Sequence, residues 1–368
     1  MAAKLSCPFH DLEAPAGSPS STSGLSQWSE RVTPVYNSGD APRPPTRVAD
    51  SSDDSDVNMV HLQLFNNFVT DTCQTFARTD EHLEIYRENI LKSAFDYPFL
   101  MHGLLGLSAL HLSIQRPNQK DFFRHLATSL QARAIAGLDN MVTHVDEKSC
   151  LTVLFFTHII GLQSFCDAFT WEDTFGIFLS RLVHSMNLLL GVNAVIRPWW
   201  HVLVGTEMGK VLLDAETRTR PLNRGEETLG LSKLLQDADI CDSTREVYQA
   251  SLERLQIMLD DCKSVDGLLT KSNVAFAWLI TSSPEYITLL DERRPEALVL
   301  LAYYAVILHW RRESWIIGNA GRSMFTLITT YLGQRWELWL AWPKSEIFGN
   351  STELMSPSST DLRVNSTP

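Results

Sequence analysis

The sequence is short of most features that mark a function by inspection. Its apolar stretches, such as Ala297 to Leu308, stop short of the roughly 18–20 residues a bilayer crossing needs, so no membrane span is expected. Positive charge is scarce. In 368 residues, 31 Lys and Arg stand against 43 Asp and Glu, a formal charge of −12, and the chain cannot hold a polyanion by its own field. Direct nucleic-acid contact by this chain is therefore not expected. The opening Met1 to His10 has no apolar core of a secretory signal. Cysteines number 6, at positions 7, 73, 150, 166, 241 and 262, scattered singly, so they outline no disulfide framework.

The motifs of the common chemistries are missing as well. Glycine-rich turns that cradle phosphate follow a strand and open a helix, and neither Gly103-Leu104-Leu105-Gly106 nor Gly318-Asn319-Ala320-Gly321 follows one. Gly106-Leu107-Ser108-Ala109-Leu110 approaches a serine elbow but lacks its last glycine and lies in mid-helix. Cys7-Pro8-Phe9-His10 is one ligand pair with no second pair to close a tetrahedron, and the histidines at 102, 111, 125, 144, 158, 184, 201 and 309 form no His-Glu-x-x-His arrangement. Such lone helical histidines are expected to be hydrogen-bonded packing residues. Asp260-Asp261-Cys262-Lys263-Ser264 begins like the aspartate clamp of a terpene cyclase but carries serine at its fifth place. No catalytic residue, metal or cofactor is assigned on these grounds.

What the chain does have is helical periodicity. Residues 1–57 are rich in Ser, Pro, Gly and Asp and read as a disordered leader, and 349–368 as a disordered tail, leaving an ordered body of 58–348. Within it Leu62, Phe65, Phe68, Val69, Thr72 and Phe76 trace one helical face, and Leu100, Leu104, Leu107, Leu110 and Ile114 another. The pattern predicts helices over 122–138, 148–165, 174–190, 202–213, 229–238, 244–261, 273–281, 284–291, 295–311 and 321–332, an all-α fold. Proline at 98 and 295 should open helices, and Ser283 before Pro284-Glu285 should cap one. Aromatic residues crowd the C-terminal part: Phe276, Trp278, Tyr286, Tyr303, Tyr304, Trp310, Trp315, Phe325, Tyr331, Trp336, Trp339 and Trp342. They either fill a core or wall an apolar pocket.

Several stretches carry a likeness beyond periodicity. They are Leu62-Gln63-Leu64-Phe65-Asn66-Asn67-Phe68, the run from Ala94 through Tyr97-Pro98 to Ser108-Ala109-Leu110-His111-Leu112, Leu189-Leu190-Gly191-Val192, Ala275-Phe276-Ala277-Trp278, Ser283-Pro284-Glu285-Tyr286, Arg293-Arg294-Pro295-Glu296, Tyr304 to His309, Trp315-Ile316-Ile317-Gly318 and Trp339-Leu340-Ala341-Trp342-Pro343. In this order they resemble the regulatory domain of fungal zinc-cluster transcription factors of the sterol uptake control type. That resemblance implies a multi-helix regulatory and ligand-binding domain whose C-terminal helices enclose a lipophilic, sterol-like molecule, in a nuclear protein. It makes Phe276, Trp278, Tyr304, Trp310 and Trp315 candidate pocket or pocket-support residues, with Gly318 and Gly321 as a hinge beside them. The family's DNA-binding module of six closely spaced cysteines has no counterpart here, since Cys7 stands alone. Three readings of that difference stay open: an exon outside this sequence, action through a partner, or another use of the fold.

Two functions are weighed. The first is a transcription regulator that senses a lipophilic ligand and acts through a DNA-bound transcription factor or by self-association, with a biosynthetic gene cluster as one target. The alternative is a cofactor-independent cyclase or isomerase of secondary metabolism, with His309, Arg311, Arg312, Glu313, Asp291 and Glu292 as its polar groups. Arg293-Arg294 and Arg311-Arg312 also suit helix ends, where cations face the negative end of the dipole.

Overall fold

A computed structural model describes residues 57–77, 79–138, 145–169, 174–217, 225–263 and 273–349. Apart from Val57 and Gly349, the leader and the tail expected from the sequence, with Cys7 and His10, lie outside the described residues. The described part is 84% helical, with 15 helices and no strand, as the 3.6-residue period requires.

The N-terminal half is built around α3 (Pro98–Gln115). Tyr97 before its first proline is extended, and the helix that follows buries residues all round its circumference, from Phe99 and Leu100 to Leu112 and Ser113. Against it pack α1 (Met59–Thr70), α2 (Asp80–Asp96), α4 (Lys120–Leu138) and α5 (Cys150–Phe169). The connection continues through α6 (Phe175–Ile196), the short α7 (Trp200–Val204), α8 (Gly209–Thr217) and α9 (Leu229–Asp237).

The C-terminal half repeats the plan around α13 (Pro295–Trp310), in which every residue from Ala297 to Leu308 is buried. A helix with no polar face belongs at the centre of a domain. Around it lie α10 (Asp242–Lys263), α12 (Pro284–Asp291), α14 (Ala320–Leu332) and α15 (Glu337–Phe348), while α11 (Asn273–Thr281) packs on α6 and α10. Because α6 packs on α5 as well as on α11 and α12, the two halves share one continuous apolar core, from Leu64 to Ile347.

The punctuation read from the sequence recurs in the structure. Ser283 Oγ accepts from the Tyr286 amide at 3.2 Å, capping α12 with Pro284 in its first turn. At the other end Arg293 takes a left-handed φ of 58°, and the amides of Arg293 and Arg294 close on the carbonyls of Leu290 and Leu289.

Two expectations are corrected, and two further helices call for comment. The face drawn from Leu62 to Phe76 is two elements, because α1 stops at Thr70, the Gln74 amide side chain donates to the Thr70 carbonyl at 2.8 Å, and Thr72–Phe76 tightens into a 3₁₀ turn. The helix expected over 202–213 breaks after Val204, where the chain returns so closely that a Cβ on Gly209 would collide with the Val204 carbonyl oxygen. Beyond 332 a further helix, α15, forms despite Pro343. Leu340, Pro343 and Ile347 recur on one face and are buried against the C-terminal bundle, and that burial outweighs the proline's cost of about 3 kcal/mol. Finally, α5 is by length and composition the one helix among the described residues that reaches membrane-spanning dimensions; 78% of its apolar window is buried inside the fold.

Candidate functional site

The seven residues singled out from the sequence fall in three places. Phe276 and Trp278 on α11 and Tyr304 on α13 are all buried, and Trp278 and Tyr304 form an aromatic layer with Tyr286 of α12. Trp278 is 1% exposed and stacks on Tyr304 with ring centroids 4.8 Å apart, while Tyr286 of α12 meets it edge-on at 5.3 Å. Phe276 stands perpendicular to Phe165 of α5 at 4.7 Å. Each polar tip in the layer finds a backbone carbonyl: Tyr304 donates to Ala275 at 2.7 Å, Tyr286 to Ala297 at 3.0 Å and the Trp278 indole to Ser251 at 3.4 Å. Burial pushes both phenols well above their ordinary range. These hydrogen bonds fix the ring orientations and leave apolar faces as the layer's only chemistry.

Trp310 lies at the far end of α13, half-buried, with its indole N–H donating to Glu346 Oε2 at 3.2 Å and its ring perpendicular to Trp342. Gly321 lies at the crossing of α14 and α13, where a Cβ would overlap the Ala305 carbonyl oxygen and the His309 amide nitrogen. Gly318, with φ at +46°, has open space around it. Of the two glycines expected to form a hinge, Gly318 makes a left-handed turn, and Gly321 is where two helices touch.

Trp315 is elsewhere. The turn after α13 carries it back to the N-terminal half, where it stacks on His111 of α3 at 4.1 Å and donates through its indole N–H to Thr75 Oγ1 at 2.8 Å. There it joins a buried polar node that the sequence did not expose. Asn67 Nδ2 donates to Thr72 Oγ1 at 3.1 Å and to Ser108 Oγ at 3.0 Å, and Ser108 donates to the Leu64 carbonyl at 2.7 Å. The serine rejected as a nucleophile thus bonds the backbone of a neighbouring helix. The Gln115 amide contacts His111 Nε2 at 3.0 Å, which leaves Nδ1 to donate to Thr72 Oγ1 at 2.9 Å when the ring is neutral. Asn67, Ser108, His111 and Trp315 all fall in the quoted signature stretches. Those stretches were therefore the signal, and side-chain pairing across 240 positions was what sequence spacing could not give.

Burial holds His111 down at about 4, against a small opposing pull from Asp71. The folded state therefore prefers the neutral ring. Stability is fully present above pH 6.5 and falls as pH drops from 6.5 to about 4, at up to about 1.4 kcal/mol per pH unit. His158, also held at about 4 by burial, titrates over the same window. We expect His111→Gln to lower the slope of unfolding free energy against pH between 4 and 6.5 by up to about 1.4 kcal/mol per pH unit. What is left are the shares of His158, of His102 and His309, which are also held down, and of Asp167, which burial raises and which acts with the opposite sign. Urea titrations at several pH values give the measurement, and an unchanged slope would contradict the assignment.

The polar residues of the catalytic alternative do not meet. Asp291 and Glu292 precede the N-terminus of α13, and His309, Arg311, Arg312 and Glu313 cluster around its C-terminus. A helix of 16 residues is about 24 Å long, so the groups sit at opposite ends of it. Among the described residues no group of three or more His, Cys, Asp and Glu side chains is placed to hold a metal. Four of the five described cysteines are buried, and burial pushes the Cys73 thiol up to about 12.

Residues 62–171 match the fungal specific transcription factor domain, which covers α1 to α5. A Zn(2)-C6 fungal-type transcription factor of Gibberella zeae is 24% identical over 313 residues, 77% of this chain and 61% of that protein. Sterol uptake control protein 2 of Saccharomyces cerevisiae is 41% identical over 123 residues, 33% of this chain and 13% of that protein. The chain thus spans less than two thirds of either relative. Residues 62–171 of this all-α chain are thus similar to the fungal specific transcription factor domain, and most of the chain is similar to one Zn(2)-C6 fungal-type transcription factor.

Proposed function

We propose that the chain is a fungal transcription regulator of the sterol uptake control kind, working in the nucleus, whose helical body senses a lipophilic ligand and acts on gene expression through a DNA-bound partner. The observation that carries the reading is the aromatic layer of Trp278, Tyr286 and Tyr304, whose polar tips are all turned into backbone bonds and whose remaining chemistry is apolar and flat. Trp278 and Tyr304 are buried and stacked on each other, so a rigid polycyclic molecule would enter beside them by parting α11 from α13 and be held by shape and burial rather than by ion pairs. Trp310 and Trp315 lie apart from the layer, at the end of α13 and against His111, and the relative named for sterol uptake control supplies the ligand class. The reading also includes the ordered body of 58–348 as the sensing unit and a biosynthetic gene cluster as one possible target set.

The test is a reporter driven by the full chain fused to a heterologous DNA-binding domain in a yeast whose sterol supply can be restricted. We expect reporter output to change at least threefold between sterol-replete and sterol-restricted cells. Purified fusion should protect one equivalent of ergosterol from extraction. Constant output, together with purified protein that carries no sterol, would remove the sensing role. Loss of a single metabolite with unchanged transcripts in a deletion strain would favour catalysis instead.

A further inference from the structure

Trp310 and Trp342 turn toward one point at the rim of the C-terminal bundle. Their rings stand 86° apart with centroids 6.4 Å from each other, forming a corner. Neither indole is loosely placed. Trp310 is held by its bond to Glu346, and Trp342 lies against the buried ring of Tyr303 at 5.0 Å. Into the corner reaches Lys263, the last residue of α10, with Nζ 5.4 Å from the Trp310 centroid and 6.0 Å from that of Trp342.

A carboxylate closes the third side. Glu227, whose side chain is only 13% exposed, pairs with the Lys263 ammonium through Oε1 and receives Gln256 Nε2 on Oε2 at 2.6 Å. Gln256 is anchored in turn, since Nε2 also donates to Asp260 Oδ1 at 2.7 Å and Oε1 receives both the amide and the hydroxyl of Thr228. Burial tends to raise the Glu227 carboxyl, but the hydrogen bonds from Lys263 and Gln256 and the lysine charge together hold it below its ordinary value.

Two indole faces and a fixed carboxylate are the parts from which proteins build receptors for organic cations. The present occupant fits them loosely. At 5.4 and 6.0 Å its bare ammonium stands at the outer limit of about 6 Å for an effective cation–π contact. An N-methyl carbon extends about 1.5 Å beyond the nitrogen, so a trimethylammonium head, which has no N–H to bond Glu227 and stands off its carboxylate by a methyl group, can bring methyl carbons onto both rings while the carboxylate faces its charge. Lys263 is 45% exposed and can leave by rotation of its own side chain. We propose that Trp310, Trp342 and Glu227 form a receptor for a quaternary ammonium group, and that Lys263 is a resident side chain which such a ligand displaces. The site is separate from the aromatic layer around Trp278 and does not depend on a sterol.

Titration calorimetry of the full chain with tetramethylammonium chloride, against sodium chloride at matched ionic strength, tests the assignment. Lys263→Ala empties the corner and should bind tetramethylammonium at least tenfold more tightly than wild type. Adding Glu227→Gln to that variant should abolish the gain. Should Lys263→Ala fold poorly, Lys263→Gln keeps a hydrogen bond to Glu227 and should show the same ordering, with a melting point that tetramethylammonium raises and sodium does not. Choline and Nε-trimethyl-lysine, titrated separately, distinguish a small molecule from a modified protein tail, and tighter binding of either supports the site. Equal, non-saturating heats for wild type and both Lys263 variants would overturn it. So would tetramethylammonium binding that survives Glu227→Gln undiminished.

Discussion

Trp278→Ala should lower the unfolding free energy by about 4 kcal/mol, as large a loss as a single buried side chain ordinarily gives. The indole is 1% exposed and lies between Tyr304, stacked on it, and Tyr286, edge-on to it. Truncation removes the indole's buried area, the two ring contacts and the bond to Ser251, and α10, α11, α12 and α13 cannot all close on the void because Tyr286 and Tyr304 are pinned by their own carbonyl partners. Against a total stability of about 5–15 kcal/mol for a domain, such a loss brings the fold near its limit. Trp278→Phe keeps an aromatic face and should cost about half as much. Urea midpoints at constant m-value measure both, and a loss below 1 kcal/mol for the alanine variant would show that the layer is loosely packed.

Gly321→Ala should cost about 3 kcal/mol, an unusual penalty for a single methyl group on a helix, where alanine ordinarily gains about 1 kcal/mol over glycine. The added carbon would overlap the Ala305 carbonyl oxygen and the His309 amide nitrogen, which are backbone atoms of the central helix α13 and cannot rotate aside. Relief requires α14 to move away from α13, and this would open the contacts of Met324, Phe325 and Ile328, all buried on the same face. Gly318→Ala makes the comparison. Its Cβ meets open space, so its cost is limited to that of a left-handed φ, about 1–2 kcal/mol. Thermal unfolding of the two variants side by side should place Gly321→Ala lower. The reverse order would return Gly321 to the part of a hinge.

Much of the fold was legible because apolar spacing and punctuation are local signals. The helices over 273–281 and 284–291 begin and end where the sequence places them, since Ser283, Pro284 and Pro295 act within one or two turns of themselves. The signals that misled were local as well. The even spacing of Thr72 and Phe76 with α1 concealed a turn held by Gln74, and the spacing did not mark the helix over Glu337–Phe348, which carries Pro343 and buries Leu340 and Ile347. The candidate site was legible in part. The aromatic crowding was plain, yet a one-dimensional count could not separate Trp278 and Tyr304, stacked together, from Trp310 at a charged rim or Trp315 against His111.

The sequence by itself determined that the body of this chain is helical and which residues punctuate many of its helices, because each of these depends on residues within a few positions of one another. Tertiary structure alone decided which aromatic faces meet, that Asn67, Thr72, Ser108, His111 and Trp315 share one polar node, and that Lys263 lies between two indoles and a carboxylate. Those pairings join residues tens to hundreds of positions apart. Their geometry follows from how helices cross in the folded core, which no local spacing encodes.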